Sequence, residues 1–325
     1  MGFGSIPIVF ATDHNFVMPL GVAISSLLRH TSGEKYDLNI IVDEDVTDSD
    51  KKKLEEQVKL LSEESTITFV EIDNKFNKSH TDRNITRATY FRLMIPWLLP
   101  QYAKVFYADC DVIFRGSLRE IYENMNLEEC YVAGVNMTVF GTDKFNKYCR
   151  ESLGLDSQEY INPGLLLINA DLQRRDNLLP RYVELSARRF KYMDQDIINV
   201  VCRGKVRFLP IIYNVDCRND SAEDISNYVM LHYVGRKPWD NYVPGFVEWW
   251  DEYRSSTFHD RAFYVDVMRK ITSRWDEMAS CTEQLNSPEV QSLLSFKVYH
   301  GSTLRFWQKF FDCKLCVVKW LTGQH

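Results

Sequence analysis

The chain has 325 residues, 45% of them apolar and 26% charged, with a formal charge of -6. Such a length suits one large α/β unit with a smaller appendage, and this balance excludes a disordered chain. The negative charge argues against a nucleic-acid partner held by bulk electrostatics; seven Trp and seventeen Tyr suit an aromatic core or the faces of sugars.

Residues 1–10 carry a short apolar stretch, Ile6 to Phe10, without a basic region before it, so no secretory signal is expected. No run approaches the roughly 20 apolar residues of a membrane span. Ile6 to Ala11 reads as a short buried strand, and Met18 to His30 has helical apolar spacing at Leu20, Ile24, Leu27 and Leu28. Leu38 to Val42 is a second strand, Ser49 to Leu61 a helix, and Thr66 to Glu71 a third strand. This β-α-β-α-β order predicts a mostly parallel sheet with helices on both faces and a ligand outside the carboxyl ends of the strands. Lys104 to Ala108, Tyr131 to Val135 and Gly164 to Ile168 add buried strands, which draws attention to Asp13, Asp109, Asp111, Asn136 and Asn162 at or beside strand ends.

After about residue 240 the alternation fades into an aromatic, acidic stretch and then helices, which places a domain of residues 1–245 before a helical region of residues 246–325. The tail from Arg305 to Lys319 interleaves Arg305, Lys309, Lys314 and Lys319 with Phe306, Trp307, Phe310, Phe311 and other apolar residues. That pattern fits an interfacial membrane helix, or a terminal helix docked on the protein's own core. The eight cysteines are scattered, and the lone C-x-x-C at Cys313 and Cys316 has no partner pair, so reduced thiols and a cytoplasmic setting are expected.

Asp-x-Asp occurs at Asp43/Asp45, Asp48/Asp50, Asp109/Asp111 and Asp194/Asp196, so spacing alone distinguishes nothing. Context does. Asp109 and Asp111 interrupt an otherwise apolar segment, where an ionised carboxylate needs a cation, and an extended chain sends residues i and i+2 to the same side. Asp43/Asp45 instead runs into a polar helix start, where Asp caps and complements the dipole. His232 ends the apolar run Tyr228 to Leu231. The Gly235-x-Lys237 that follows permits close backbone approach and supplies a point charge for phosphate.

Taken together, these residues resemble the family 8 glycosyltransferases, which include bacterial lipopolysaccharide galactosyl- and glucosyltransferases and, more distantly, glycogenin. The resemblance spans about residues 6–240 and rests on six ordered motifs: Val9-Phe-Ala-Thr-Asp13-His-Asn15, Thr89-Tyr-Phe-Arg92-Leu, Tyr107-Ala-Asp109-Cys110-Asp111, Asn162-Pro-Gly164-Leu-Leu-Leu-Ile-Asn169, Asp194-Gln195-Asp196-Ile-Ile-Asn199 and His232-Tyr-Val-Gly235-Arg-Lys237-Pro-Trp239. It implies a GT-A type, Rossmann-like fold, with Asp109, Asp111 and His232 as ligands of Mn²⁺ (or Mg²⁺) and a UDP-hexose as donor substrate. It further implies that Asp13 and Asn15 contact uridine, that Phe16 stacks on uracil, and that Gly235 and Lys237 grip the diphosphate. Arg92 and Cys110 fall beside the donor, Asn136 and Asn162 beside the sugar, and Asp194 and Gln195 at the reacting carbon.

Two departures from the family pattern concern the hexose: Asn136 stands where Asp is frequent, and Pro163 where a small residue is usual. The resemblance implies retention, an α-linkage, and glucose or galactose as the sugar. The acceptor it suggests is a lipopolysaccharide core or other lipid-linked oligosaccharide at the inner face of a cytoplasmic membrane, which would make the protein peripheral. A front-face attack and a double displacement through Asp194 or Gln195 both remain open at this point. So do a sugar-nucleotide hydrolase and a non-catalytic UDP-sugar or glycan-binding module.

Overall fold

A computed structural model describes residues 4–72, 87–137, 142–218 and 227–285. Strand β1 (Ile6–Thr12) pairs in parallel with β2 (Tyr36–Val42), and β2 with β3 (Thr66–Glu71). Helix α1 (Val17–His30) and helix α2 (Asp48–Leu61) are the crossovers. Thr47 opens α2 with a capping box, its hydroxyl accepting from the Asp50 amide while the Asp50 carboxylate accepts from the Thr47 amide.

β4 (Lys104–Ala108) lies parallel beside β1, whereas β7 (Ile161–Asn169) runs antiparallel to it and to β6 (Val132–Asn136). β8 (Val206–Leu209) closes the sheet parallel to β6, giving seven strands in the order β3-β2-β1-β4-β7-β6-β8. The α/β, mostly parallel sheet read from the sequence is therefore present, with β7 as its antiparallel member. A second sheet, not foreseen, joins β5 (Val112–Phe114), β10 (Met230–His232) and β9 (Val215–Asp216).

Side chains alternate across the main sheet with the strand period of two. Ile8, Phe10, Phe106, Ala108, Leu165 and Leu167 face a core shared with α1 and α2. Val9, Ile41, Val105, Tyr107, Leu166 and Ile168 face the opposite core. That core is covered by the 3₁₀ segment Arg87–Met94 and by α3 (Ile95–Leu98), α6 (Ala170–Arg175), α7 (Leu179–Ser186) and α8 (Met193–Val201). Two short helices, α4 (Arg119–Asn124) and α5 (Asp143–Tyr148), fill the connections.

The chain divides into two compact units, Met1–Pro238 with Val243–His259, and Trp239–Tyr242 with Asp260–His325. Helix α9 (Phe246–Ser255), where the sequence suggested a helical region to begin, lies in the first unit, buries Trp249, Trp250 and Tyr253 and brings Glu252 Oε1 to 2.8 Å from His30 Nε2 of α1. In the second unit, α10 (Arg261–Leu285) starts at Asp260, whose carboxylate accepts from the amides of Ala262 and Phe263. The basic-aromatic stretch from Arg305 to Lys319 lies outside the described residues, and among those described no helix is long and apolar enough to cross a membrane.

Candidate active site

The site forms where β1 and β4 end. Asp109 directly follows β4, and its amide donates to the Gly164 carbonyl (2.9 Å), prolonging the β4–β7 ladder by one rung. Asp111 directly precedes β5. The antiparallel register of β5 with β10 places His232 opposite Val112, and the Tyr233 amide donates to the Asp111 carbonyl (2.9 Å). Backbone pairing therefore carries the imidazole across more than a hundred residues of sequence to the two acids.

His232 Nε2 lies 3.4 Å from Asp111 Oδ1 and 3.6 Å from Asp109 Oδ2, and one ligand atom from each of the three residues falls within 4.8 Å of the others. Ligands about 2.1 Å from an octahedral ion stand about 3 Å apart at right angles, so these separations suit one hard divalent cation. Two carboxylates and one imidazole form a donor set suited to a divalent cation. Gly164 makes the arrangement sterically feasible, because a Cβ there would overlap the His232 ring.

Positive charge surrounds the acids. Lys237 Nζ donates to Asp111 Oδ2 and to the Tyr233 carbonyl, the latter at 2.7 Å. Burial works to raise the Asp111 pKa, but Lys237 and His232 outweigh it and hold the carboxyl well below the usual carboxylate range. Gly235, two residues before Lys237, has φ +81°, a left-handed conformation suited to glycine.

Arg92 connects Asp109 to Asp194. Nη1 lies 3.0 Å from Asp109 Oδ1 and donates to the Pro163 carbonyl (3.0 Å), Nε lies 2.9 Å from Asp194 Oδ2, and the guanidinium stacks 4.6 Å from the Tyr107 ring centre. Burial opposes its charge, yet Asp109 and Asp194 outweigh burial and keep it cationic. Asp194 responds in the opposite sense: burial pushes its pKa up to about 7, with Arg92 pulling down and Asp109 pushing up. Met193, immediately before it, has φ +44°, an uncommon conformation for a non-glycine residue.

Asp194 and Asp196 do different work. Asp196 accepts from the Tyr160 hydroxyl (2.6 Å), the Tyr148 hydroxyl (2.7 Å) and the Tyr192 amide (2.8 Å), which anchors the start of α8.

Asp13 caps the turn His14–Phe16 with Oδ1, which accepts from the Phe16 amide (3.1 Å). Its Oδ2 is buried and has no hydrogen-bond partner among the described residues. A buried, unmatched carboxylate oxygen costs free energy, which a polar ligand supplying a donor would recover.

One cavity of about 300 Å³ collects most of the residues singled out in the sequence. Asp13, Phe16, Arg92, Asp109, Cys110, Asp111, Asn162, Asp194, Gln195, His232, Gly235 and Lys237 all line it. Asn15 and Asn136 do not: Asn15 is exposed in the middle of the 3₁₀ turn His14–Phe16, and the Asn136 amide donates to the Gln158 carbonyl at the carboxyl end of β6. The Cys110 thiol is buried against the Ala11 carbonyl (3.2 Å), and burial raises its pKa. Gln195 donates to Met137 Sδ. Tyr107, Lys191 and Tyr192 also line the cavity and were not foreseen. Lys191 and Tyr192 directly precede α8, so their adjacency to Asp194 was the available signal.

Comparison with known proteins agrees with this geometry. The sequence model of the glycosyl transferase family 8 matches residues 7–242, and the chain belongs to that family. It is 25% identical over 254 residues to the lipopolysaccharide 1,3-galactosyltransferase of Salmonella typhimurium, covering 72% of this chain and 73% of that protein. It is 26% identical over 254 residues to the lipopolysaccharide glucosyltransferase WaaO of Escherichia coli, covering 73% and 74%. A Haemophilus influenzae protein assigned to the glycosyltransferases is 28% identical over 213 residues, a match that spans 64% of this chain and 62% of that relative.

Among solved structures, the bifunctional glycosyltransferase WbbM superimposes with TM-score 0.70 at 23% identity, covering 82% of this chain and 52% of that one. The galactosyltransferase LgtC, solved with donor and acceptor sugar analogues, gives TM-score 0.66 at 22% identity over 80% and 99%. Both establish a shared GT-A type fold.

Proposed function

We propose that the chain is a metal-dependent retaining glycosyltransferase that moves glucose or galactose from a UDP-sugar to a glycan acceptor, forming an α-linkage. The observation that carries this reading is the convergence of Asp109, Asp111 and His232 beside Lys237 in the cavity that also holds Asp13, Arg92 and Asp194. Similarity to the Salmonella and Escherichia lipopolysaccharide transferases supports a lipopolysaccharide core or a related lipid-linked oligosaccharide as the acceptor.

Cleavage of the sugar–phosphate bond leaves negative charge on the leaving diphosphate and positive character at the anomeric carbon. A divalent cation held by Asp109, Asp111 and His232 would neutralise part of that leaving-group charge. Lys237 adds a second positive charge at the same end of the cavity, already placed before reaction and so costing no reorganisation. The unmatched oxygen of Asp13 is suited to accept from a nucleoside N–H or O–H, and the partly buried Phe16 offers a ring face to a base.

Arg92 fixes Asp194 at the sugar end. A carboxyl held against a guanidinium and buried out of water is a poor candidate for covalent attack, and the Gln195 amide is a weaker nucleophile still. Both features support front-face attack by the acceptor hydroxyl, with Asp194 and Gln195 orienting the sugar and sheltering the developing positive charge.

The test is a panel of UDP-sugars with Mn²⁺, measuring slow hydrolysis without an acceptor and transfer with oligosaccharide acceptors. Turnover of UDP-glucose or UDP-galactose that stops on chelation and resumes with Mn²⁺ is expected. Release of free hexose that no acceptor diverts would indicate a hydrolase, and UDP binding without turnover a binding module.

A further inference from the structure

His232 presents Nε2 to the two acids and Nδ1 to Asn214, and the nitrogen that carries the proton decides whether it can ligate a cation. A chain of hydrogen bonds answers this from a donor of only one sense. The Gly164 amide donates to Asn162 Oδ1 (2.7 Å), and the same oxygen accepts from Asn214 Nδ2 (3.1 Å). With its nitrogen committed there, Asn214 turns Oδ1 towards His232 Nδ1, 3.0 Å away. An amide oxygen can only accept, so Nδ1 must be the N–H of the ring. The ring nitrogen left to offer a lone pair to a cation is then Nε2, which faces Asp109 and Asp111.

The backbone builds this contact deliberately. Asn214 ends the 3₁₀ turn Ile211–Tyr213 and immediately precedes β9, whose parallel register with β10 sets Val215 beside Leu231 and Asp216 beside His232. Asn214 is buried and the amide satisfied at both ends, so its flip is fixed by the surrounding hydrogen bonds. Asn162, the nearest link of the chain, is thereby tied to the imidazole as well as to the cavity wall.

We propose that Asn214 is a positioning residue that locks His232 in its Nδ1–H tautomer and so presents Nε2 as the lone-pair donor to a divalent cation. It touches no reacting atom and acts through the imidazole alone. The inference rests on the cation reading of the site, and two measurements keep the two apart.

The first is the ¹H–¹⁵N correlation of histidine-labelled, metal-free full chain at pH 8. A protonated Nδ1 at His232 is expected, and an unprotonated Nδ1 overturns the proposal whether or not metal binds. The second is Mn²⁺ affinity by electron paramagnetic resonance, with thermal unfolding recorded alongside. Asn214→Leu should bind Mn²⁺ about 10- to 100-fold more weakly than wild type, whereas Asn214→Asp, which keeps an acceptor for Nδ1–H, should stay within about threefold. Equal losses in both variants, or none in Asn214→Leu, overturn the proposal. Absence of Mn²⁺ binding by the wild type would sink the cation reading and leave the tautomer result to decide the role of Asn214.

Discussion

Arg92 Nη1 lies 3.0 Å from Asp109 Oδ1 while its Nε lies 2.9 Å from Asp194 Oδ2, so one buried guanidinium connects the cluster of Asp109, Asp111 and His232 to Asp194. A planar fork can serve both carboxylates and the Pro163 carbonyl together, and a lysine cannot. Arg92→Ala strands two carboxylates beside each other, and breaking a buried pair in this way costs about 3–5 kcal/mol. Urea denaturation should show that loss, with Arg92→Lys recovering only part of it; an unchanged midpoint for Arg92→Ala would show the bridge to be unimportant to folding.

Gly164→Ala introduces a Cβ into the space of the His232 ring. Overpacking of this kind costs about 1–3 kcal/mol, and the imidazole is the group that must yield. The variant is expected to lose Mn²⁺ affinity by at least about tenfold, the scale of a displaced ligand, and to keep its circular dichroism spectrum. Wild-type affinity in a folded variant would mean the ring has room to spare.

Asp194 gives a pH signature in the metal-free protein. Burial raises its folded pKa to about 7, above the value for an unfolded carboxyl. The raised sign means that its contribution to stability is fully present below the unfolded pKa of about 3.9. That contribution is lost as pH rises towards and through about 7, on the order of a few kcal/mol. Asp194→Asn has no proton to lose. In chelator, the melting temperature of the variant should therefore gain on wild type between pH 5 and pH 8. A constant difference across that range would contradict the raised pKa.

Thr47 caps α2 away from the cavity. Thr47→Ala removes the hydroxyl acceptor of the capping box and should cost about 1 kcal/mol of stability, read from the denaturation midpoint. UDP-sugar turnover should not change, which makes the variant a control for losses of activity that arise from stability alone.

Much of this architecture was legible because local pattern and tertiary role coincide. Leu20, Ile24, Leu27 and Leu28 lie on one face of α1, and Ile40 and Val42 turn to the core that α1 shares. Asp13, Asp109 and Asp111 stand where apolar strand runs end, and the cavity forms there. What escaped depends on register. The run Leu165 to Ile168 is buried on both faces, so its pattern carries no sign of direction, and its antiparallel place between β4 and β6 was not visible.

Asn214 is one polar residue in a turn, and only the pairing of β9 with β10 brings it to His232. Asp194 and Asp196 share the Asp-x-Asp spacing of Asp109 and Asp111. They lie on a helix, where residues i and i+2 diverge by about 200°, so one reaches Arg92 while the other anchors to Tyr148 and Tyr160. The helix Phe246–Ser255 resembled the start of a separate region because its core-facing Trp249, Trp250 and Tyr253 belong to a surface supplied far earlier in the chain.

The most direct measurement is Mn²⁺ binding, by electron paramagnetic resonance in the presence of UDP, to the full chain and to Asp109→Asn, Asp111→Asn and His232→Gln. One equivalent bound by the wild type is expected, with each substitution weakening binding by tenfold or more, the order seen for even the outer partners of metal ligands, and with the folded state retained. Wild-type affinity in His232→Gln, or in both aspartate variants, would contradict convergence of the three side chains on one cation.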